Sequence, residues 1–159
     1  MEAMDTVFMR RALTLASEAA ALGEVPVGAV VVCDGRIIAE AYNRRELDRN
    51  ALAHAELLAI DKACAVLGGW RLHKCDLYVT LDPCPMCAGA SVNARIRRVI
   101  IGAKDAKAGA MGSVFNINHY PLNHHPITEY GLLEAECAGL LRDFFRRLRT
   151  KREQEKRNV

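Results

Sequence analysis

The sequence predicts an α/β protein in three layers, a mixed five-stranded sheet with helices on both faces. Three observations carry this. After one initial hairpin, segments of helical period alternate with short segments of strand character, the order of a sheet wound between helices. The first strand candidate, Val25 to Cys33, is a near-continuous valine-rich run, as expected of a buried strand. Asp34-Gly35 follows at once, a strong hairpin signal, and Arg36 to Tyr42 returns as a second strand.

The elements follow in order. Asp5 to Leu22 reads as a helix, because Val7, Phe8, Ala12, Leu15, Ala16 and Ala19 recur at helical spacing and Gly23 is a suitable stop. After the hairpin, Asn43 to Asn50 is polar and charged and reads as a loop. Ala53 to Leu67 is a second helix ended by Gly68-Gly69, and Leu77 to Leu81 a short β-branched and aromatic strand. Pro85 opens a helix to about Ala94, since a proline at the first helical position loses no hydrogen bond. Arg98 to Gly102 is a fourth strand. Lys104 to Pro126 has no clean period and is rich in Gly, Asn and His; a loop that long in a compact domain is usually functional. Ile127 to Tyr130 is the last strand, and Leu132 to about Glu153 a long helix. Its stripe of Leu141, Phe144, Phe145 and Leu148 should face the core, with Arg142, Arg146 and Arg149 on an adjoining face. The charged segment 151–159 is expected to fray.

Composition bounds the function. The 159 residues, 51% of them hydrophobic, read as one domain, 1–159, able to bury a real core. No apolar run is long enough to span a bilayer, so no membrane partner is expected. The stretch from Phe8 to Leu22 is not read as a signal peptide, because Ser17 and Glu18 interrupt it and its spacing is amphipathic. Cys33, Cys64, Cys75 and Cys137 are scattered through apolar surroundings, which suits free thiols in a reducing cytoplasm rather than a disulfide framework. A net charge of +3 permits a nucleic-acid partner without demanding one.

The chemistry concentrates in His54-Ala55-Glu56 and Pro83-Cys84-Pro85-Met86-Cys87. His54, Cys84 and Cys87 form a three-ligand set, as a catalytic zinc site uses, with the fourth tetrahedral position left to water. Glu56 is close enough in sequence to reach that water as a general acid–base. A redox Cys-x-x-Cys would need neither His54 nor Glu56, and a structural zinc site would want a fourth ligand, for which His73 and Cys75 are the nearest spare candidates. Alone, Glu56 would read as a solvated glutamate favoured by a helix N-terminus. Each motif falls where a helix begins, and that end of a helix favours the thiolate that zinc needs. The two motifs together match the H-x-E…P-C-x-x-C signature already established for the zinc nucleobase deaminases.

Further motifs narrow the match. They are Glu24-Val25-Pro26-Val27-Gly28-Ala29-Val30, Asn43-Arg44, Leu81-Asp82-Pro83-Cys84-Pro85-Met86-Cys87-Ala88-Gly89-Ala90, Asp105-Ala106-Lys107-Ala108-Gly109-Ala110 and Leu122-Asn123-His124. With these the chain resembles the bacterial tRNA adenosine deaminases, the TadA family, from about Asp5 to Arg149. The metal motifs specify only the superfamily; Asp105–Ala110 and Leu122-Asn123-His124 point to the tRNA branch. Asp82 stands where the family usually has Glu.

The resemblance implies a cytidine-deaminase-like fold, a homodimer, one Zn²⁺ per subunit, and conversion of adenosine to inosine at the wobble position of a tRNA anticodon loop. Carried over by position, Val27 and Asn43 would line the base pocket, and the backbone of Ala55 and Cys84 would contact the base or activated water. Asp105, Lys107, Asn123 and His124 would hold flanking nucleotides, and Phe145 and Arg146 would lie near the loop entrance. Plain structural readings stand beside these: Val27 as strand core, Asn43 as a turn former, Lys107 as a solvated charge, Asn123 as a loop shaper and Phe145 as core. Two other functions stay open. A deaminase of a free nucleobase or nucleoside (guanine, cytosine or cytidine) would use the same zinc apparatus. A non-catalytic zinc or RNA-binding module would leave Glu56 unexplained.

Overall fold

The computed structural model describes residues 2–159. Asp34 and Gly35 both take left-handed backbone, φ 51° and 74°, which is the geometry of a two-residue hairpin turn. That turn joins β1 (Gly28–Cys33) to β2 (Arg36–Tyr42). The remaining strands are β3 (Cys75–Leu81), β4 (Arg98–Ala103) and β5 (Ile127–Tyr130). The sheet order is β2-β1-β3-β4-β5. β1 is antiparallel to both β2 and β3, whereas β3, β4 and β5 run parallel, so the sheet is mixed as expected.

Alternate residues of the central strands feed two apolar layers. Val30, Val32, Tyr78 and Ile100 face α1 (Asp5–Ala21) and the start of α4 (Glu134–Arg157) through Phe8, Met9, Ala12 and Cys137. Ala29, Val31, Leu77, Val79 and Val99 face α2 (Ala55–Leu67) and α3 (Pro85–Asn93) through Ala59, Ile60, Ala63 and Ala88. The three-layer expectation holds. The glycine opening β1 is required for this packing: a Cβ at Gly28 would lie 1.9 Å from the Ala12 carbonyl oxygen.

Several boundaries move, each for a local reason. β1 begins at Gly28, not Val25, because Pro26 has no donor and the Val27 N–H turns back to the Val25 carbonyl, 2.9 Å away. α2 begins at Ala55, because the Ala53 and His54 N–H groups bond back to Asn50 and Leu52 in the preceding loop. α4 begins at Glu134, after Leu133 in a left-handed conformation, and runs to Arg157. The segment expected to fray is therefore helical to that point. It contains no Gly or Pro, and Lys156 and Arg157 suit the negative end of the helix dipole. Within the expected core stripe of α4, Phe144 is buried and Leu141 and Leu148 are half-buried, but Phe145 is exposed. A helix packed through one narrow face cannot bury two adjacent residues.

At the start of β4 a buried ion cluster ties the first helix to the sheet. The Arg98 guanidinium donates to Asp5 Oδ1 at 2.9 Å, Asp76 Oδ2 at 2.9 Å and Glu129 Oε2 at 2.9 Å. The Tyr78 hydroxyl donates to Asp5 as well. The functional motifs lie at the other end of the sheet.

Candidate active site

His54 and Cys84 occupy the N-cap positions of α2 and α3, and Cys87 lies in the first turn of α3. His54 makes no capping bond to its own helix, and the Cys84 side chain meets its helix at Cys87, the third residue of the set. The three ligand atoms all lie within 4.8 Å of one another. His54 Nδ1 is 3.5 Å from Cys84 Sγ and 3.5 Å from Cys87 Sγ. A tetrahedral zinc with Zn–S of about 2.3 Å and Zn–N of about 2.0 Å requires N···S separations of about 3.5 Å. The donor set therefore fits such an ion in both chemistry and spacing, and these three residues could hold a metal.

The electrostatics suit a cation. The hydrogen bond with the Cys87 thiol pulls Cys84 down to about 4, aided by His54 and opposed by burial. The same contact with Cys84, together with burial, pushes the Cys87 thiol up, and Cys84 raises His54. Cys87 thus keeps a proton where a divalent cation would sit, and binding would release it. Glu56 follows on the first turn of α2 and is 4% exposed. Burial pushes its carboxyl up to about 7, so the acid and its conjugate base are both accessible near neutral pH.

These groups open onto a cavity of about 210 Å³ lined by Val25, Val27, Asn43, Arg45, Ala55, Leu81, Asp82, Asp105 and Ala108 besides His54, Glu56 and Cys84. Two buried carboxylates brace its walls. Glu24 accepts the Glu46 and Leu47 N–H groups at 3.1 and 2.8 Å, holding the loop that carries Asn43 and Arg45. Asp82 accepts the Met111 and Ser113 N–H groups at 3.2 and 2.9 Å, and the Pro83 carbonyl accepts the Ala110 N–H at 2.8 Å. The long segment after β4 is thereby fastened to the residues just before Cys84. A Cβ at Gly109 would lie 2.4 Å from Asp82 Oδ2, so the fastening also needs that glycine.

Of the residues carried over from the family, Val27, Asn43, Ala55 and Asp105 line the cavity. Asn43 is buried, its amide donating to the Val25 carbonyl and its oxygen accepting the Arg45 N–H. Asp105 accepts the N–H groups of Lys107 and Ala108, which leaves the Lys107 side chain exposed beside the cavity. Asn123 and His124 are not brought to the cavity. They precede β5, whose first residue pairs with Arg98 at the far end of the sheet, and His124 Nε2 donates to the Ile96 carbonyl at 2.7 Å. Phe145 and Arg146 are exposed on α4 and are not among the lining residues. Sequence reasoning passed over Val25, Arg45, Leu81, Asp82 and Ala108 as lining residues. Arg45, two residues after Asn43 on a charged loop, had a signal; the buried role of Glu24 and Asp82 had none, since a carboxylate that anchors backbone looks like a solvated one.

The family model of MafB19-like deaminases matches residues 4–149. The tRNA-specific adenosine deaminase of Bacillus subtilis (strain 168) is 47% identical over 98% of this chain and 97% of its own. A solved structure from studies of A-to-I editing by tRNA:A34 deaminases at the wobble position of transfer RNA is 47% identical. It superimposes with a TM-score of 0.83 over 86% of this chain and 99% of its own. A guanine deaminase from Nitrosomonas europaea is more distant, 30% identical with a TM-score of 0.73 over 87% and 83% of the two chains.

Proposed function

From the premise that this chain belongs to the MafB19-like deaminases, and among them to the tRNA-specific adenosine deaminase family, we propose that it converts adenosine to inosine at the wobble position of a tRNA anticodon. One observation carries the reading: a buried Glu56 faces a three-ligand His54, Cys84, Cys87 set in a cavity of about 210 Å³. Most small-molecule sites measure about 300–1,000 Å³. A cavity this small suits one base inserted from a polymer, with sugar and phosphates left outside beside Arg45 and Lys107. An anticodon loop offers unstacked bases at little cost.

We assign the metal as zinc, one per subunit, held by His54, Cys84 and Cys87. When bound, it would supply a Lewis acid that makes a water acidic enough to act as nucleophile near neutral pH. Glu56 takes the proton of that water as the oxygen adds to C6 of the adenine. It passes that proton to the ring nitrogen, then takes the proton of the new C6 hydroxyl and gives it to the amine, which leaves as ammonia while the C6–N bond breaks and the C6 carbonyl forms. Val27 and Leu81 give the base apolar walls, and Asn43 offers its amide. The proposal includes a homodimer, supported by the exposed apolar side chains of Val114, Phe115, Tyr120 and Leu122 on the segment after β4. It places the reaction in the cytoplasm; no helix among the described residues is long and apolar enough to cross a membrane.

The test incubates purified protein with individual tRNAs and maps inosine at each anticodon position, with guanine, cytosine and cytidine as parallel substrates. Inosine confined to the first anticodon position is expected. Ammonia release from guanine or cytidine at a comparable rate, with no inosine in any tRNA, would replace this reading by a free-base or nucleoside deaminase.

A further inference from the structure

Cys33 ends β1 and Cys75 begins β3, and the two are register partners across the antiparallel pair. The backbone hydrogen bonds fix which kind of pair this is. The Cys75 N–H goes to the Leu72 carbonyl, and its own carbonyl accepts from Arg97, so neither group reaches Cys33. Cys33 and Cys75 are therefore a non-hydrogen-bonded pair, the closer of the two antiparallel geometries, with Cα atoms about 4.5 Å apart. That falls inside the range of about 4.4–6.8 Å over which a disulfide spans two residues. Directly opposite residues project to the same face, and both side chains pack against the apolar layer under α2. Both thiols are free. Cys33 is half-exposed, whereas Cys75 is fully buried.

We propose that Cys33 and Cys75 form a disulfide-bonding dithiol, oxidised through Cys33 by a low-molecular-weight disulfide. The Cys33 thiolate attacks one sulfur of the small disulfide, expels one small thiolate and becomes a mixed disulfide. Cys75 gives up its proton to solvent and attacks Cys33 Sγ, which expels the second small thiolate. Two protein thiols are oxidised and one small disulfide is reduced to two thiols. Burial pushes the Cys75 thiol up, which holds it protonated until Cys33 has been oxidised. The bond closes a loop of about 40 residues, for which chain entropy implies a gain in stability. That loop contains β2, the loop with Asn43, and the start of α2 with His54 and Glu56. Oxidation would thus staple the half of the site that β3 and α3 do not carry.

The experiment treats metal-loaded full-length protein with oxidised glutathione, then counts thiols after denaturation and maps non-reduced tryptic peptides. The expected result is the loss of two thiols, a cross-link joining the Cys33 peptide to the peptide that starts at Cys75, and a rise in Tm of up to about 10 °C. Because Cys84 and Cys87 share the second peptide, Cys75→Ser must abolish both cross-link and Tm rise, while Cys64→Ser keeps both. Cys33→Ser, at a half-exposed position, must abolish both as well and serves if Cys75→Ser fails to fold. A cross-link that survives in Cys33→Ser or Cys75→Ser overturns the proposal. So does Cys33 held only as its glutathione mixed disulfide, or a Tm that does not rise with cross-linking.

Discussion

At the start of β4 a buried arginine meets every acid it needs, whereas beyond the end of β3 a buried glutamate meets no arginine or lysine. Arg98 is bonded to Asp5, Asp76 and Glu129, and Asp5 is bonded again by Tyr78. Glu56 takes part in no ion pair among the described residues, and burial pushes its carboxyl upward. The two clusters stand at opposite ends of one sheet. Both consist of buried ionisable groups. At the first, partners remove the desolvation cost and the cluster holds the fold. At the second, no arginine or lysine offsets the cost, and Glu56 stays chemically available. The difference between structure and site lies in charge pairing, not in burial.

The sharpest test removes the site's donors. His54→Ala, Cys84→Ala or Cys87→Ala should abolish metal content and activity together, with about one zinc per chain in the unmodified protein. Full retention of zinc in the Cys84 and Cys87 variants would misplace the site. Glu56→Gln comes next. It keeps shape and hydrogen-bonding capacity but removes the base, so single-turnover inosine formation should fall about 10²–10⁴-fold or more, with zinc content and tRNA binding kept. Because no arginine or lysine pairs with the carboxylate it replaces and the amide keeps the hydrogen-bonding shape, its Tm should not drop. Turnover within a few-fold of the original would refute the proton-shuttle role.

Arg98→Met should do the reverse. Stranding Asp5 without a cation, while Arg97 still holds Asp76, is expected to cost about 3–5 kcal/mol. Urea unfolding reads that loss, while turnover per folded molecule stays near its original value. If turnover falls and stability does not, the two ends are coupled and the contrast drawn between them fails.

The two ends also differed in how far the sequence revealed them. His54, Glu56, Cys84 and Cys87 were visible because two spaced motifs bring chemically specific residue types to two helix starts. The hairpin was equally visible, since Asp34-Gly35 admits few conformations. Arg98, Asp5 and Asp76 gave no such signal. Each looks ordinary in its own segment, and only the register of β3 with β4 and the docking of α1 make them one cluster. Phe145 misled for a related reason: helical spacing shows that a stripe exists but not how wide a face the sheet will cover. Asn123 and His124 were legible as a motif, yet their position at the far end of the sheet followed from the path of the long loop, which has no period to read.

Surface affinity is a smaller effect and belongs to neither end. Lys107 projects beside the cavity while only its N–H is held, by Asp105. If its ammonium meets a phosphate, Lys107→Ala should weaken tRNA binding several-fold at low salt and reduce the slope of log affinity against log salt by about one. Zinc content and stability should not change. Unaltered binding at low salt would make Lys107 a solvated charge.

The last expectation is a difference in acid response. Burial raises the Asp5 carboxyl, but hydrogen bonds from Arg98 and Tyr78 overcome it and hold the group below its ordinary value. A depressed folded pKa contributes stability that is present in full above the unfolded value of about 3.9 and is lost as pH falls toward the folded one. Glu40 is also held down, by Arg11, but that pair is more than a third exposed, so screening weakens it. In Arg98→Met, burial acts on Asp5 with less opposition, so its folded pKa rises and the sign of its contribution turns. The original protein should lose stability below about pH 4. The variant, measured by urea unfolding at matched pH, should close part of its deficit as the pH falls from 7 to 4. Glu56 titrates in both proteins and cancels in the comparison. A stability gap that stays constant across that range would mean that Arg98 acts by packing alone, and that the far end owes nothing to its paired charges.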